Sequence, residues 1–156
     1  MTVAIAQDLR HAGLVWSVIE SELKESNISV NKDSLILYLG CGCNAMAKYL
    51  TDKYRVVGID LEDLVDNWSK FPQRRFIRAD ALRLPFSSDK FDLVYTLGFF
   101  DPWRYDNQEH YYTYAKEIKR VLKPGGVFAP IEVKAIERDL PRGFTRKGIC
   151  GIFVKD

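Results

Sequence analysis

Ile5, Leu9, Ala12, Trp16, Ile19 and Leu23 recur at spacings of four and three, with Asp8, Arg10, Glu20, Glu22 and Lys24 mostly between them. That period predicts an amphipathic helix over residues 3–25, packed on the body of the domain, and Ser26-Asn27 breaks it. From residue 35 the rhythm changes. Leu35-Ile36-Leu37-Tyr38-Leu39 is a short apolar run that stops at glycine, as the buried strands of parallel sheets do. Similar runs predict strands over 55–59, 75–77, 91–97, 126–133 and 148–154. Helical stretches fall between them at 45–53, 61–70 and 107–122, the last with Asp106 as N-cap and Pro124-Gly125-Gly126 beyond its end. Strands alternating with helices imply βαβ crossovers. The expectation is an α/β fold: a doubly wound, mostly parallel sheet with helices on both faces.

Composition narrows the class. The 156 residues are 47% hydrophobic, 28% charged and 13% aromatic, which excludes disordered and low-complexity chains and fits a single domain over 1–156. A net charge of +2 implies no strong general attraction to nucleic acid. Three cysteines make neither a disulfide framework nor a zinc quartet, so no metal is expected. The first eight residues lack a basic n-region, and no apolar run reaches the roughly 18–20 residues that span a bilayer. A cytoplasmic protein is expected.

The first strand runs into Gly40-Cys41-Gly42-Cys43-Asn44-Ala45 and then a helix. Glycine at 40 permits a tight turn, and glycine at 42 lets a ligand approach the backbone. A plain glycine turn without ligand is the alternative. Asp60 ends the second strand, where a carboxylate can accept from two ribose hydroxyls or can cap the following helix. Asp80 follows the third strand, at the same edge of a doubly wound sheet. Gly40, Gly42, Asp60 and Asp80 could thus touch three parts of one adenosine-containing ligand.

In this order the segments resemble the class I S-adenosylmethionine-dependent methyltransferases. Leu37-Tyr38-Leu39-Gly40-Cys41-Gly42 resembles the glycine motif, Val57-Gly58-Ile59-Asp60 the ribose motif, and Ala79-Asp80-Ala81-Leu82-Arg83-Leu84-Pro85-Phe86 the adenine motif. Phe91–Gly98 resembles the fourth strand and Arg120-Val121-Leu122-Lys123-Pro124-Gly125-Gly126 the turn into the fifth, so the likeness covers about residues 35–133. It implies S-adenosyl-L-methionine as cofactor. Gly40, Cys41 and Gly42 would flank its methionine portion, Asp60 with Leu61 would hold the ribose side, Asp80 and the Ala81 N–H would meet the adenine, and Leu97 and Gly98 would lie near the sulfonium. Two positions depart from the family. Tyr38 stands where an acid is common, and Asn44 where a third glycine is common, which leaves a cofactor-binding but inactive subunit as an alternative. Gly40-x-Gly42-x-x-Ala45 with Asp60 also satisfies the looser pattern of an NAD-dependent oxidoreductase.

Much of methyl transfer is positioning, and no compelling base stands out. His110 reads as part of a solvated helix face, and Glu132 as a residue near the end of the fifth strand. Phe99, Phe100, Asp101, Trp103 and Tyr105 follow the strand nearest the sulfonium and are the candidate acceptor wall. Arg142, Arg146 and Lys147 form a basic stretch that could meet phosphate or stay solvated. Only 30 residues follow Gly126, so the sheet is expected to be trimmed at its C-terminal edge, with residues 148–154 returning antiparallel. An open face of that kind favours a macromolecular acceptor (RNA, DNA or protein) over a small molecule, or a homodimer that covers the edge.

Overall fold

A computed structural model describes residues 9–42, 45–61, 75–99, 108–131, 142–148 and 151–156. Helix α1 runs from Leu9 to Glu25 and buries Ala12, Trp16, Ile19 and Leu23, the stripe that the period predicts. Its C-terminus closes by a Schellman pattern. Asn27 takes φ 55°, its N–H donates to the Lys24 carbonyl, and the Ile28 N–H donates to the Leu23 carbonyl at 2.8 Å.

Then follow β1 (Leu35–Leu39), α2 (Ala45–Lys53), β2 (Arg55–Asp60) and β3 (Arg75–Arg78). A 3-10 turn over Ala81–Arg83 leads to β4 (Phe91–Leu97), α3 (Gln108–Val121) and β5 (Leu122–Ile131). The chain ends in β6 (Phe144–Lys147) and β7 (Ile152–Lys155). The sheet order is β3-β2-β1-β4-β5-β7-β6, with β1 to β5 mutually parallel and β7 antiparallel to both neighbours. The order reverses between β1 and β4, which is where ligands enter open α/β sheets.

Alternation along the strands divides the core in two. Ile36, Tyr38, Leu93, Tyr95, Val127 and Ala129 pack with α1 and α2. Leu37, Leu39, Val57, Ile59, Val94 and Phe128 pack with Tyr114, Ile118 and Val121 of α3. Both faces are covered by helices, so nearly every strand position must be apolar.

Three boundaries differ from the sequence reading. Helix α3 stops at Val121 because the Arg120 and Val121 carbonyls accept from Asp89 and Lys90 N–H, which draws the next residue into the sheet. Strand β5 therefore starts at Leu122, four residues early. The Lys123–Gly126 segment is an excursion inside the strand, since pairing jumps from Phe91↔Leu122 to Leu93↔Val127. At the C-terminal edge the single strand expected over 148–154 is a hairpin, because Gly148 (φ 70°) and Gly151 (φ 78°) turn the chain there. Its first strand, Phe144-Thr145-Arg146-Lys147, has three exposed residues, so no apolar pattern announced it. The edge is trimmed in length, to strands of four residues, and carries two of them. Pairing of β5 with β7 covers only Val127 and Phe128, short of Pro130, whose nitrogen has no proton to give. Residues 3–8 of the first predicted helix, residues 62–70 of the third, Asp106 and Glu132 lie outside the described residues.

Candidate active site

The turn after β1 uses left-handed backbone twice, at Gly40 (φ 63°) and Gly42 (φ 50°). It is tied down from β2. The Cys41 N–H donates to the Ile59 carbonyl at 3.0 Å, and the Gly42 N–H donates to Asp60 Oδ2 at 2.9 Å. The Asp60 carbonyl in turn accepts the Ala79 N–H at 2.9 Å. One acidic residue thus links the glycine turn to the segment after β3. A carboxylate has about four acceptor positions, so the bond to Gly42 is compatible with further donors from a ligand.

The Cys41 side chain is fully buried and sits beneath the turn, away from the crevice. It occupies the space Gly58 leaves open. A Cβ on Gly58 would lie 2.8 Å from Cys41 Sγ and 2.6 Å from Phe76 Cδ1. Any ligand contact from Cys41 is therefore through its backbone.

Asp80 is exposed and caps the 3-10 turn, its Oδ1 accepting the Leu82 N–H at 2.9 Å. Ala81 behind it is buried. Gly40, Asp60, Leu61 and Ala81 come together around one small cavity of about 50 Å³, whose lining also includes Phe99 and Tyr114. Asp80, Leu97 and Gly98 stand outside that lining. Leu97 and Gly98 are half-buried at the end of β4, where the Gly98 N–H donates to the Ile131 carbonyl at 3.0 Å. Phe99, expected on the acceptor wall, lies against Gly40 of the glycine turn. Of the other acceptor-wall candidates, Phe100, Asp101, Trp103 and Tyr105 lie outside the described residues, as do Cys43 and Asn44.

Tyr38 does not face the crevice. It is wholly buried on the α1 side, with its ring 5.1 Å from Tyr95, which meets Trp16 edge-on at 5.4 Å. His110 is half-buried on α3, and its ring stands 6.3 Å from that of Tyr114, one turn along the helix.

Sequence reasoning missed the clamp that holds the adenine-motif loop. Glu117 Oε2 accepts the Leu84 N–H at 2.7 Å, and Arg120 donates to the Phe86 carbonyl at 2.7 Å and the Leu84 carbonyl at 3.0 Å. The two side chains also pair with each other through Nε at 2.7 Å and Nη2 at 2.8 Å. The Arg120 guanidinium holds the Glu117 carboxyl below its usual range, against the upward push of burial and with help from the Leu84 N–H. The available signal was an acid and a base three apart on α3, a pair that also fits a solvated helix face. Among the described residues no group of three His, Cys, Asp or Glu side chains could hold a metal ion, and no helix is long and apolar enough to cross a membrane.

The arrangement suits an adenosine cofactor. Gly40 allows close approach to its backbone, which the Phe99 ring takes up here, a carboxylate stands at the end of β2, and Ile59, Leu61 and Ala81 line the space beside it. The methyltransferase-domain family matches residues 37–129. Tocopherol O-methyltransferase of Arabidopsis thaliana is 30% identical over 135 residues, which are 78% of this chain and 34% of that protein. Demethylmenaquinone methyltransferase of Staphylococcus epidermidis is 31% identical over 116 residues, 69% of this chain and 46% of the relative. The chain thus spans less than half the length of these two relatives. A TehB-like S-adenosylmethionine-dependent methyltransferase from Corynebacterium glutamicum shares the fold, with TM-score 0.63, 17% identity, and coverage of 96% of this chain and 100% of that one. The match sets aside the nicotinamide reading of Gly40-x-Gly42-x-x-Ala45, and the chain belongs to the class I S-adenosylmethionine-dependent methyltransferases.

Proposed function

We propose that this chain transfers the methyl group of S-adenosylmethionine to a small, apolar, aromatic acceptor. When bound, the cofactor supplies a methyl group already activated on a sulfonium sulfur. The work of the protein is then to hold and orient. Asp60 accepts from the ribose hydroxyls while fastening Gly42. Gly40, Cys41 and Gly42 offer close backbone approach to the methionine portion. Leu61 would lie against the adenosine, Asp80 and the Ala81 N–H would meet the purine, and Leu97 and Gly98 would border the methyl group.

The observation that carries the cofactor half is the Gly42–Asp60 bond beside a turn whose left-handed backbone at Gly40 and Gly42 suits glycine. For the acceptor half, the two relatives are named for tocopherol and demethylmenaquinone, both small apolar aromatic molecules. A macromolecular acceptor was expected from an open, trimmed sheet edge; β6 adds a strand to that edge, and neither relative is named for a macromolecule. Labelled methyl transfer to host extracts separated into organic-soluble metabolites, RNA, DNA and protein tests the reading. Label is expected in the organic-soluble fraction. Label in RNA, DNA or protein would overturn the acceptor, and S-adenosylhomocysteine binding with no transfer to any fraction would instead identify an inactive subunit.

A further inference from the structure

We infer that the Phe99 ring is a resident occupant of the adenosine crevice, which cofactor binding must displace. The inference rests on the cofactor reading above. The space between Asp60, Leu61 and Ala81 is about 50 Å³ with the ring in place. Ligand pockets usually offer roughly 300–1,000 Å³. The ring fills the cradle itself. Phe99 Cδ2 lies 2.8 Å from the point where a Gly40 Cβ would stand, so Phe99 uses the close approach that glycine opens to a ligand. The ring also meets Tyr114 edge-on, with centroids 5.1 Å apart, a geometry that favours its place in the crevice. The residue before it is Gly98, at φ 63° and anchored by its N–H to the Ile131 carbonyl.

The ring and the cofactor therefore compete for one place. Apparent affinity is the intrinsic affinity scaled by the fraction of molecules with the ring out. Removing the ring removes the competitor. Phe99→Ala is expected to lower the dissociation constant of S-adenosylhomocysteine roughly two- to tenfold, the worth of one aromatic pair, and to speed association. Phe99→Leu should fall between Ala and the parent.

Calorimetry and stopped-flow binding of S-adenosylhomocysteine to the parent and both variants test this, with far-UV dichroism to establish that each variant is folded. If Phe99→Ala does not fold, Phe99→Leu is read in its place. Weaker or unchanged binding by a folded variant would overturn the inference alone, since the ring would then be a wall that touches the ligand or a bystander. No binding by parent or variants would overturn it together with the cofactor reading.

Discussion

Arg120→Ala should unlock the loop that carries the adenine motif. Arg120 makes two hydrogen bonds to the carbonyls of Leu84 and Phe86 and two to Glu117, and the side chains of Arg120 and Glu117 are 34% and 18% exposed. Buried hydrogen bonds to a charged group contribute ~1.5–3 kcal/mol each, whereas an exposed ion pair contributes about 0.5 kcal/mol. With a third of the Arg120 side chain exposed, the four bonds together should be worth about 2–3 kcal/mol. At ~2–4 °C per kcal/mol for a domain of this size, the melting temperature should fall by about 5–10 °C. Urea and thermal melts measure the loss. A double-mutant cycle with Glu117→Gln should show coupling above ~0.5 kcal/mol, because the two residues share partners. S-adenosylhomocysteine binding should weaken as well, although the Asp60 contact is untouched. The acid limb also carries a signature. A carboxyl held below its unfolded value, here by Arg120 first, adds stability that is complete above the unfolded pKa of about 4.3 and disappears as pH falls through the folded one. Arg120→Ala should flatten that limb. A loss under ~0.5 kcal/mol, the scale of ordinary surface substitutions, with additive effects in the cycle, would refute the clamp.

Three further outcomes follow from the same geometry. Asp60→Ala should weaken S-adenosylhomocysteine binding by ~1–3 kcal/mol in calorimetry, and an unchanged constant would mean that Asp60 only fastens Gly42. Gly58→Ala places a Cβ against Phe76 and Cys41 and should cost ~1–3 kcal/mol in denaturant melts. Adding Cys41→Ala relieves one of those two contacts and should recover part of the loss. Gly148→Ala combines φ 70° with an overlap on the Glu22 carboxylate and should cost at least ~2 kcal/mol. A Gly148→Ala protein that melts with the parent would show that Glu22 yields freely.

The parts of the fold that were legible are those where burial on both faces dictates the sequence. β1 and the middles of β2 and β4 are apolar because α1, α2 and α3 cover them, and such runs are hard to mistake. β6 was illegible for the opposite reason. It is an edge strand of Phe-Thr-Arg-Lys whose cations face water, and its existence depends on pairing with β7. The site divides in the same way. Gly40, Gly42 and Asp60 could be found because their residue types answer to local backbone and a nearby carboxylate. Glu117 was given no role and Phe99 only a place on the acceptor wall, since what they touch depends on where α3 crosses the end of β4 and the adenine-motif loop, a long-range fact that no spacing encodes.

Tyr38 joins these two cases. It occupies a position where relatives often place an acid, which made the turn suspect. Yet β1 alternates, and residue 38 points to the α1 side, where Tyr95 and Trp16 enclose it and the Trp16 indole N–H donates to both Glu20 and Tyr54. An ionised carboxylate placed among those rings would be desolvated at a cost of several kcal/mol. The aromatic core and the tyrosine are therefore mutually consistent. The glycine turn, held from the neighbouring strand by Ile59 and Asp60, keeps its shape by bonds in which the residue 38 side chain takes no part. The departure from the family changes what packs behind the strand and leaves the ligand-facing backbone in place.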